Sequence, residues 1–404
     1  MKRLTQLDGL RGIAALVVVV FHLSLIAQPF LDTNSTGDAW WWISETPLRL
    51  ATDGTQAVLL FFVLSGLVVA LPAFRQGFAW KKYFASRFLR LYIPAWGALA
   101  LAAVLIFCIP RVSSNVTANY WLSNTNAKSI QPLTLLADAT LMKVGNAADN
   151  VLWSLRWEII FSLLLPLFVF AAVLVRRSWI VSMLVVVGCV ALTIGDPAHA
   201  NGFFYLPIFF VGTLMASRLE AIQEWSKRRG RAFWITALST SLFFMVASQV
   251  FSFAAPASSV AGGLLWSLVG LGAAGVILCA IGFEPVRSFL NRRVSQFLGK
   301  ISFSLYLVHV PIIATLAFVL GDSQWWLVGI IGLPLSLSVA TVFHRFIEVP
   351  SMRLAHRVGA RAAGQKVPAE APAVDATSAP IPVAEAPQLE YAGGAGLPHY
   401  AAMR

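Results

Sequence analysis

The hydrophobic residues of this chain fall into repeated runs, separated by short polar segments. The runs are about twenty residues long, which is the length an α-helix needs to cross a bilayer. They do not alternate between apolar and polar positions, as the strands of a transmembrane β-barrel would. The pattern predicts an all-α, polytopic transmembrane helical bundle with about ten spans, near residues 9–28, 55–73, 92–109, 157–175, 178–194, 202–217, 232–251, 259–283, 301–319 and 325–344.

Composition supports this prediction, and the charge distribution gives the bundle an orientation. Of the 404 residues, 58% are hydrophobic and 12% are charged. When the chain is threaded from a cytoplasmic N-terminus, most Lys and Arg residues fall on the cytoplasmic side of the spans. This positive-inside pattern predicts that both the N- and the C-terminus are cytoplasmic. It also accounts for the net charge of +12 without a nucleic-acid partner, although part of the basic excess suits anionic membrane lipids.

The two ends of the chain differ from the spans between them. Residues 362–404 are rich in Ala and Pro and contain few large apolar residues. Such a segment has little apolar surface to bury, so we expect a disordered cytoplasmic tail after a transmembrane domain over residues 1–361. The first apolar run lacks a small-residue cleavage site and is expected to be a retained signal anchor.

The first span contains two ionisable residues, Arg11 and His22. Their separation of eleven residues is close to three helical turns, so both side chains lie on one helix face. Ionisable groups within a membrane are costly and usually functional. The pair predicts a polar path in which His22 acts as a general base or a nucleophile. The alternatives are an arginine that extends to the interface and a histidine that is only hydrogen-bonded.

Later spans carry further polar groups. Glu158 begins the fourth span, where it could orient an imidazole or instead pair with Arg156 at the interface. His309 lies midway through the ninth span, as a catalytic group or as an interhelical hydrogen bond. Arg87 and Arg90 suit a phosphate clamp, because guanidinium groups match phosphate oxygens; the alternative is a solvated positive-inside loop.

Other features of the sequence exclude or suggest further chemistry. It has no phosphate-binding GxxxxGK[ST] loop, no HExxH and no dinucleotide fingerprint, and its three cysteines have no metal-ligand spacing. Several tryptophans, Trp121 among them, map to the outer side of the predicted bundle. We expect an aromatic interfacial belt there. The alternative is the mouth of a site that accepts a sugar or another flat group.

Motifs spread over about residues 3–351 resemble acyltransferase family 3, bacterial membrane proteins that O-acylate envelope glycans and some small molecules. The matching segments are LDGLRGIAALVVVVFH, FFVLSGLVVA, SRFLRLYIP, WSLRWEIIF, ISFSLYLVHVP and HRFIEVP, in that order. The resemblance implies a multi-pass enzyme of the cytoplasmic (inner) membrane that uses acyl-CoA, commonly acetyl-CoA, and no metal. It also implies that the acceptor is a hydroxyl group of a glycan, a lipid-linked molecule or a small metabolite.

The resemblance assigns roles to six residues of these motifs: Arg11, His22, Arg87, Arg90, Glu158 and His309. We expect Arg11, Arg87 and Arg90 to bind the phosphates of CoA. We expect His22, Glu158 and His309 to be catalytic, with His22 as general base or acyl carrier and Glu158 orienting it. One departure concerns the acceptor side, because Arg156 and Trp157 follow WSL where the family has small or apolar residues.

Two other functional classes stay open at the level of sequence. A proton-coupled transporter could use the same buried Arg, His and Glu groups as a relay. It gives no reason for the arginine-rich patch, and no helix-breaking Pro/Gly pair marks a midplane site. A structural scaffold explains none of the buried ionisable groups.

Overall fold

The structure is a computed structural model that describes residues 4–32, 35, 37–116, 119–142, 148–178, 180–182, 184–185, 188, 205–251, 254 and 259–365. The described residues form helices joined by short turns, and no strand occurs among them, which confirms the all-α prediction. Most of the predicted span 178–194 and residues 366–404 of the predicted tail lie outside the described residues.

Fifteen α-helices make up most of the described residues. They are α1 Thr5–Leu31, α2 Ala39–Ser44, α3 Gly54–Ala70, α4 Trp80–Cys108, α5 Tyr120–Thr125, α6 Pro132–Ala139, α7 Leu152–Val175, α8 Tyr205–Ser217, α9 Leu219–Lys227, α10 Arg231–Val250, α11 Val260–Gly282, α12 Glu284–Leu290, α13 Arg293–Leu320, α14 Trp325–Phe343 and α15 Val349–Ala362. A π-helical turn, His344–Glu348, joins α14 to α15.

Within the described residues, eight helical stretches are long and apolar enough to cross a membrane. They are Thr5–Leu31, Gly54–Phe74, Trp80–Cys108, Leu152–Val175, Arg231–Val250, Val260–Gly282, Arg293–Leu320 and Asp322–Ala362. Helices α8 and α9 form a ninth if this pair, bent by 69°, is one span. Each of these corresponds to a predicted span, and the protein is a multi-pass membrane protein.

Helices α1 and α13 lie in direct backbone contact. A Cβ atom added to Gly12 would lie 2.3 Å from the amide nitrogen of Gly299, and one added to Gly299 would lie 2.3 Å from the carbonyl oxygen of Asp8. Only glycine permits this approach, as is common between helices in membranes. Because both glycines lie near the starts of their helices, α1 and α13 run parallel.

The bundle has two ends, which differ in the segments that they carry. We call the end at which α1 and α13 begin the basic face, and the opposite end the loop face. The loop face carries residues 37–53, 109–116 and 321–324. Helix α13 is central, since 78% of its apolar window is buried, the largest share among the eight spans.

Helix α7 begins inside the bundle rather than at the loop face. Helices α4 and α7 are antiparallel, yet Arg87 in the first third of α4 contacts Glu158 in the first third of α7. Antiparallel helices that began at opposite faces would bring the first third of one against the last third of the other. Leu152, the first residue of α7, is accordingly fully buried.

Residues 119–142 and 148–151, here called the inserted segment, occupy the space between the start of α7 and the loop face. Trp96 and Tyr92 of α4 donate hydrogen bonds to it, at 2.8 Å to the carbonyl oxygen of Ala139 and at 2.9 Å to that of Thr140. The predicted spans 92–109 and 157–175 leave this stretch between them, outside the spans. The structure shows that this polar stretch packs beside the second half of α4.

Candidate active site

His22 of α1 and His309 of α13 form the centre of the site, here called the histidine pair. His309 Nε2 lies 3.1 Å from His22 Nδ1, and the ring centroids are 4.9 Å apart. Both side chains are buried, with exposed fractions of 7% for His22 and 0% for His309. The contact follows from the glycine-mediated packing of α1 on α13, which brings the two helices close enough for imidazoles to meet.

Hydrogen bonding defines the tautomers of the histidine pair. Each Nδ1 lies 2.9 Å from a carbonyl oxygen one turn earlier, that of Val18 for His22 and that of Leu305 for His309. A carbonyl oxygen only accepts, so each Nδ1 carries the hydrogen. The single hydrogen of His22 Nδ1 is then shared between the carbonyl oxygen of Val18 and the lone pair of His309 Nε2. His22 Nε2 is left with a lone pair and, among the described residues, no hydrogen-bond partner.

Glu158 does not reach the histidine pair. Its Oε1 forms a salt bridge with Arg87 Nη2 and accepts a hydrogen bond from Ser65 Oγ at 3.1 Å. In this structure Glu158 contacts Arg87 and Ser65, and the side chain within hydrogen-bond distance of His22 is His309. The alternative pairing with Arg156 is also not observed, because the Arg156 guanidinium carbon lies 5.3 Å from the ring centroid of Trp157.

A proline places the Arg87–Glu158 contact. Pro166 in α7 has no amide hydrogen, so the carbonyl oxygen of Ser162 lacks its helical donor. Tyr83 Oη donates to that oxygen at 3.3 Å, and Arg87 Nε donates to Ser162 Oγ at 3.1 Å. Two side chains of α4 thus bind one turn of α7, and this fixes the register that brings Arg87 to Glu158.

The three arginines predicted to bind phosphate lie together, and we call Arg11, Arg87 and Arg90 the arginine cluster. Arg90 is within electrostatic range of Arg87 and Arg11, as well as of Glu158 and Glu348. Three positive charges therefore face two negative ones. Within the described residues Arg11 and Arg90 form no salt bridge, so their guanidinium groups have hydrogen-bond donors left for an anionic ligand.

Glu348 belongs to a buried network to which no role was assigned from the sequence. Its Oε2 accepts a hydrogen bond from Ser304 Oγ at 2.5 Å and lies 3.0 Å from His344 Nδ1. His344 and Glu348 are the two ends of the π-helical turn, and such turns frequently occur at functional sites. The signal in the sequence was HRFIE, which places two ionisable residues four apart at the end of an apolar span.

A second buried polar group surrounds the start of α7. Tyr306 Oη lies 2.7 Å from Ser154 Oγ and donates to the carbonyl oxygen of Val151 at 3.2 Å. Asp149 is 1% exposed, and its Oδ2 has no hydrogen-bond partner among the described residues. Burial raises the pKa of the Asp149 carboxyl well above its usual range, and the negative charge of Asp138 acts in the same direction.

A cavity of about 250 Å³ lies between the end of α4 and the inserted segment. Lys128, Gln131, Thr134 and Asp138 contribute polar groups to its lining, and Ala148 closes its side next to Asp149. None of the six predicted site residues lines it, so the cavity is distinct from the histidine pair and the arginine cluster.

Known proteins resemble this chain over most of its length. A family model described as an acyltransferase domain matches residues 4–345. The acyltransferase MdmB of Streptomyces mycarofaciens is 26% identical, in a match that covers 88% of this chain and 93% of that protein. The O-acetyltransferase PaAT-1 of Phomopsis amygdali is 25% identical, in a match that covers 80% of this chain and 75% of that protein. No solved structure matches the chain significantly.

Proposed function

This chain belongs to the acyltransferase 3 family, and we propose that it moves an acyl group, in the simplest case acetyl, from acyl-CoA to a hydroxyl group. Acyl transfer follows from the family and from the two acyltransferase relatives. The acyl-CoA donor, the hydroxyl acceptor and the roles of individual residues are the parts that we add. Nothing in the structure favours the transporter alternative over acyl transfer.

The lone pair of His22 Nε2, which has no partner among the described residues, is the observation that carries the proposal. As the oxygen of the acceptor bonds to the thioester carbon, Nε2 takes the proton of the hydroxyl. The carbon–sulfur bond then breaks, and the proton passes to the departing sulfur. General-base assistance of this kind typically raises a rate by about 10²–10⁴. The same lone pair also suits a route through an acyl-histidine intermediate.

His309 supports this chemistry by holding the imidazole of His22. Its Nε2 accepts from His22 Nδ1, and this contact stabilises the positive charge that His22 acquires when it takes a proton. In this proposal His309 takes the orienting role that the sequence suggested for Glu158. Glu158 instead holds Arg87 in the arginine cluster.

The arginine cluster is the proposed binding site for the phosphates of CoA. Arg11 and His22 lie on one face of α1 about 16 Å apart along the helix axis, so the thin pantetheine arm can run along that face to the histidine pair. Guanidinium groups bind phosphate oxygens through paired hydrogen bonds. The basic face would then be cytoplasmic, where acyl-CoA is made, in a bacterial cytoplasmic membrane.

The proposed acceptor is a hydroxyl on a glycan, a lipid-linked molecule or a small metabolite. Family membership and the O-acetyltransferase relative both favour transfer to oxygen. The acceptor would approach from the loop face, since the donor occupies the path from the basic face.

The test is binding of acetyl-CoA to the detergent-purified protein, with Arg11→Ala beside Arg231→Ala. Arg231 is exposed at the start of α10 and serves as the matched control. We expect micromolar binding to the wild type and to Arg231→Ala, and weaker binding to Arg11→Ala. A folded wild-type protein that binds neither acetyl-CoA nor a longer acyl-CoA would overturn the proposal.

A further inference from the structure

An unusual hydrogen bond joins the inserted segment to α1. Pro29 lies in the last turns of α1 and has no amide hydrogen, so the carbonyl oxygen of Leu25 lacks its helical donor. Asn119 Nδ2 donates to that oxygen at 2.8 Å. Asn119 Oδ1 in turn accepts from the amide of Leu122 at 2.9 Å and caps the start of α5. A single buried side chain therefore fixes α5 to the end of α1.

This anchor places Trp121 against His22. The ring centroids of Trp121 and His22 are 5.3 Å apart, with the planes tilted by 45°. The carbonyl oxygen of Trp121 accepts hydrogen bonds from Thr125 Oγ1 at 2.6 Å and from Asn126 Nδ2 at 3.2 Å. The backbone that carries the indole is thus held from both sides, next to the imidazole of His22.

The position of the indole differs from that of an interfacial belt. Trp326, at the start of α14 on the loop face, is 49% exposed, as expected of a belt residue. Trp121 is instead half-buried and contacts a buried imidazole. His309 occupies another side of the same imidazole. The rings of Trp121 and His309 therefore flank the imidazole of His22, and Trp121 comes from the segment between the start of α7 and the loop face.

We propose that Trp121 closes the loop-face approach to His22 and excludes water from the acyl donor until an acceptor displaces or replaces the indole. The inference rests on the proposed function, because it assigns a specificity role at the same site. Water competes directly with any hydroxyl acceptor, since both present an O–H group to the same base. Exclusion of water from a site prevents such a side reaction.

The side reaction is hydrolysis of the thioester by water. The oxygen of water bonds to the thioester carbon while His22 Nε2 takes one of its protons. The carbon–sulfur bond breaks, the sulfur receives that proton, and the products are a carboxylic acid and CoA. Hydrolysis needs no acceptor, so it can be measured while the acceptor is unidentified.

The experiment measures release of the CoA thiol from acetyl-CoA by purified protein without an acceptor. We expect Trp121→Ala to release CoA several-fold faster than the wild type, and Trp326→Ala to equal the wild type. Asn119→Ala removes the anchor without altering the indole and is expected to change release in the same direction. The double variant His22→Ala/Trp121→Ala is expected to release none.

The outcomes separate the two proposals. If Trp121→Ala and Asn119→Ala bind acetyl-CoA normally but hydrolyse it no faster than the wild type, the role of Trp121 is wrong and the proposed function is unaffected. If release persists in the double variant, or if no variant binds acetyl-CoA, both are wrong. Asn119→Ala and Trp121→Phe carry the test should Trp121→Ala fail to fold.

Discussion

The histidine pair and the arginine cluster are held in place by different interactions. His22 and His309 are almost completely buried, and they meet because glycines let α1 and α13 touch along their backbones. Arg87 is half-buried and is held by a salt bridge, a serine hydroxyl and helices whose register a proline helps to set. Close packing fixes the position of one lone pair, whereas the cluster supplies an excess of positive charge.

This difference corresponds to the chemistry proposed for each region. A proton transfer needs donor and acceptor atoms within hydrogen-bond distance, and small displacements reduce its rate. Binding of phosphates depends mainly on net charge and on free guanidinium donors, and it tolerates movement of individual side chains. We therefore expect substitutions in the two regions to affect different measured quantities.

Replacing His22 should abolish the chemical step and spare binding. His22→Ala removes the only proposed base, so turnover should fall by about 10²–10⁴, while the Kd for acetyl-CoA stays near the wild-type value. Release of CoA and equilibrium binding measure the two quantities. His356→Ala, on α15 at the basic face, is the matched control and should leave both unchanged. Full turnover by a purified His22→Ala protein would refute the assignment.

Replacing Arg90 should have the opposite pattern. Arg90→Ala removes a guanidinium group that has no salt bridge among the described residues. The substitution should therefore weaken the binding of acetyl-CoA rather than break a contact within the protein. Hydrogen bonds to charged groups contribute about 1.5–3 kcal/mol, and the Kd for acetyl-CoA should rise about ten- to a hundredfold. The dependence of the Kd on salt should also weaken. An unchanged Kd would show that Arg90 does not bind the phosphates of CoA.

A methyl group at the helix contact should affect stability and rate together. Gly12→Ala places a Cβ atom 2.3 Å from the amide nitrogen of Gly299, and overpacking of this kind typically costs about 1–3 kcal/mol. The shift of α1 should also separate the histidines and lower turnover. Gly329→Ala is the matched control, because a Cβ atom there has no neighbour within 4 Å. Equal melting temperatures for the two variants would contradict the packing argument.

The smallest effect concerns the pH dependence of stability. The pKa of buried Asp149 is raised above its ordinary value of 3.8, so the folded form keeps the proton to a higher pH than the unfolded form does. The contribution of Asp149 to the free energy of unfolding is fully present below the unfolded pKa. It is lost as the pH rises towards the folded pKa. Asp149→Asn should therefore flatten the fall in melting temperature as the pH rises above the unfolded pKa. Exposed Glu220→Gln should not, and identical profiles for Asp149→Asn and wild type would disprove the assignment.

The sequence predicted the parts of the site that depend on local periodicity. The spacing of Arg11 and His22 placed both on one face of α1, and the apolar run around His309 placed that residue midway through its span. Apolar runs predicted the helices that carry them. These inferences needed only the rise and twist of an α-helix.

Contacts that depend on where a helix begins were not predictable in the same way. Glu158 follows a polar stretch, which indicated an interfacial carboxylate, but α7 begins inside the bundle and carries Glu158 to Arg87. The role of Asn119 depends on a carbonyl oxygen that Pro29 leaves free. Each partner comes from a distant segment, so neither contact follows from periodicity.

The position of the site residues along the chain also has a consequence for biosynthesis. The carbonyl oxygen of Leu25 accepts a hydrogen bond from Asn119, which lies 94 residues later in the chain. His22 and His309 are 287 residues apart. A ribosome-bound fragment that ends before α13 therefore contains His22 without the group that orients it. Under the proposed function, such truncated products of translation would release little CoA from acyl-CoA.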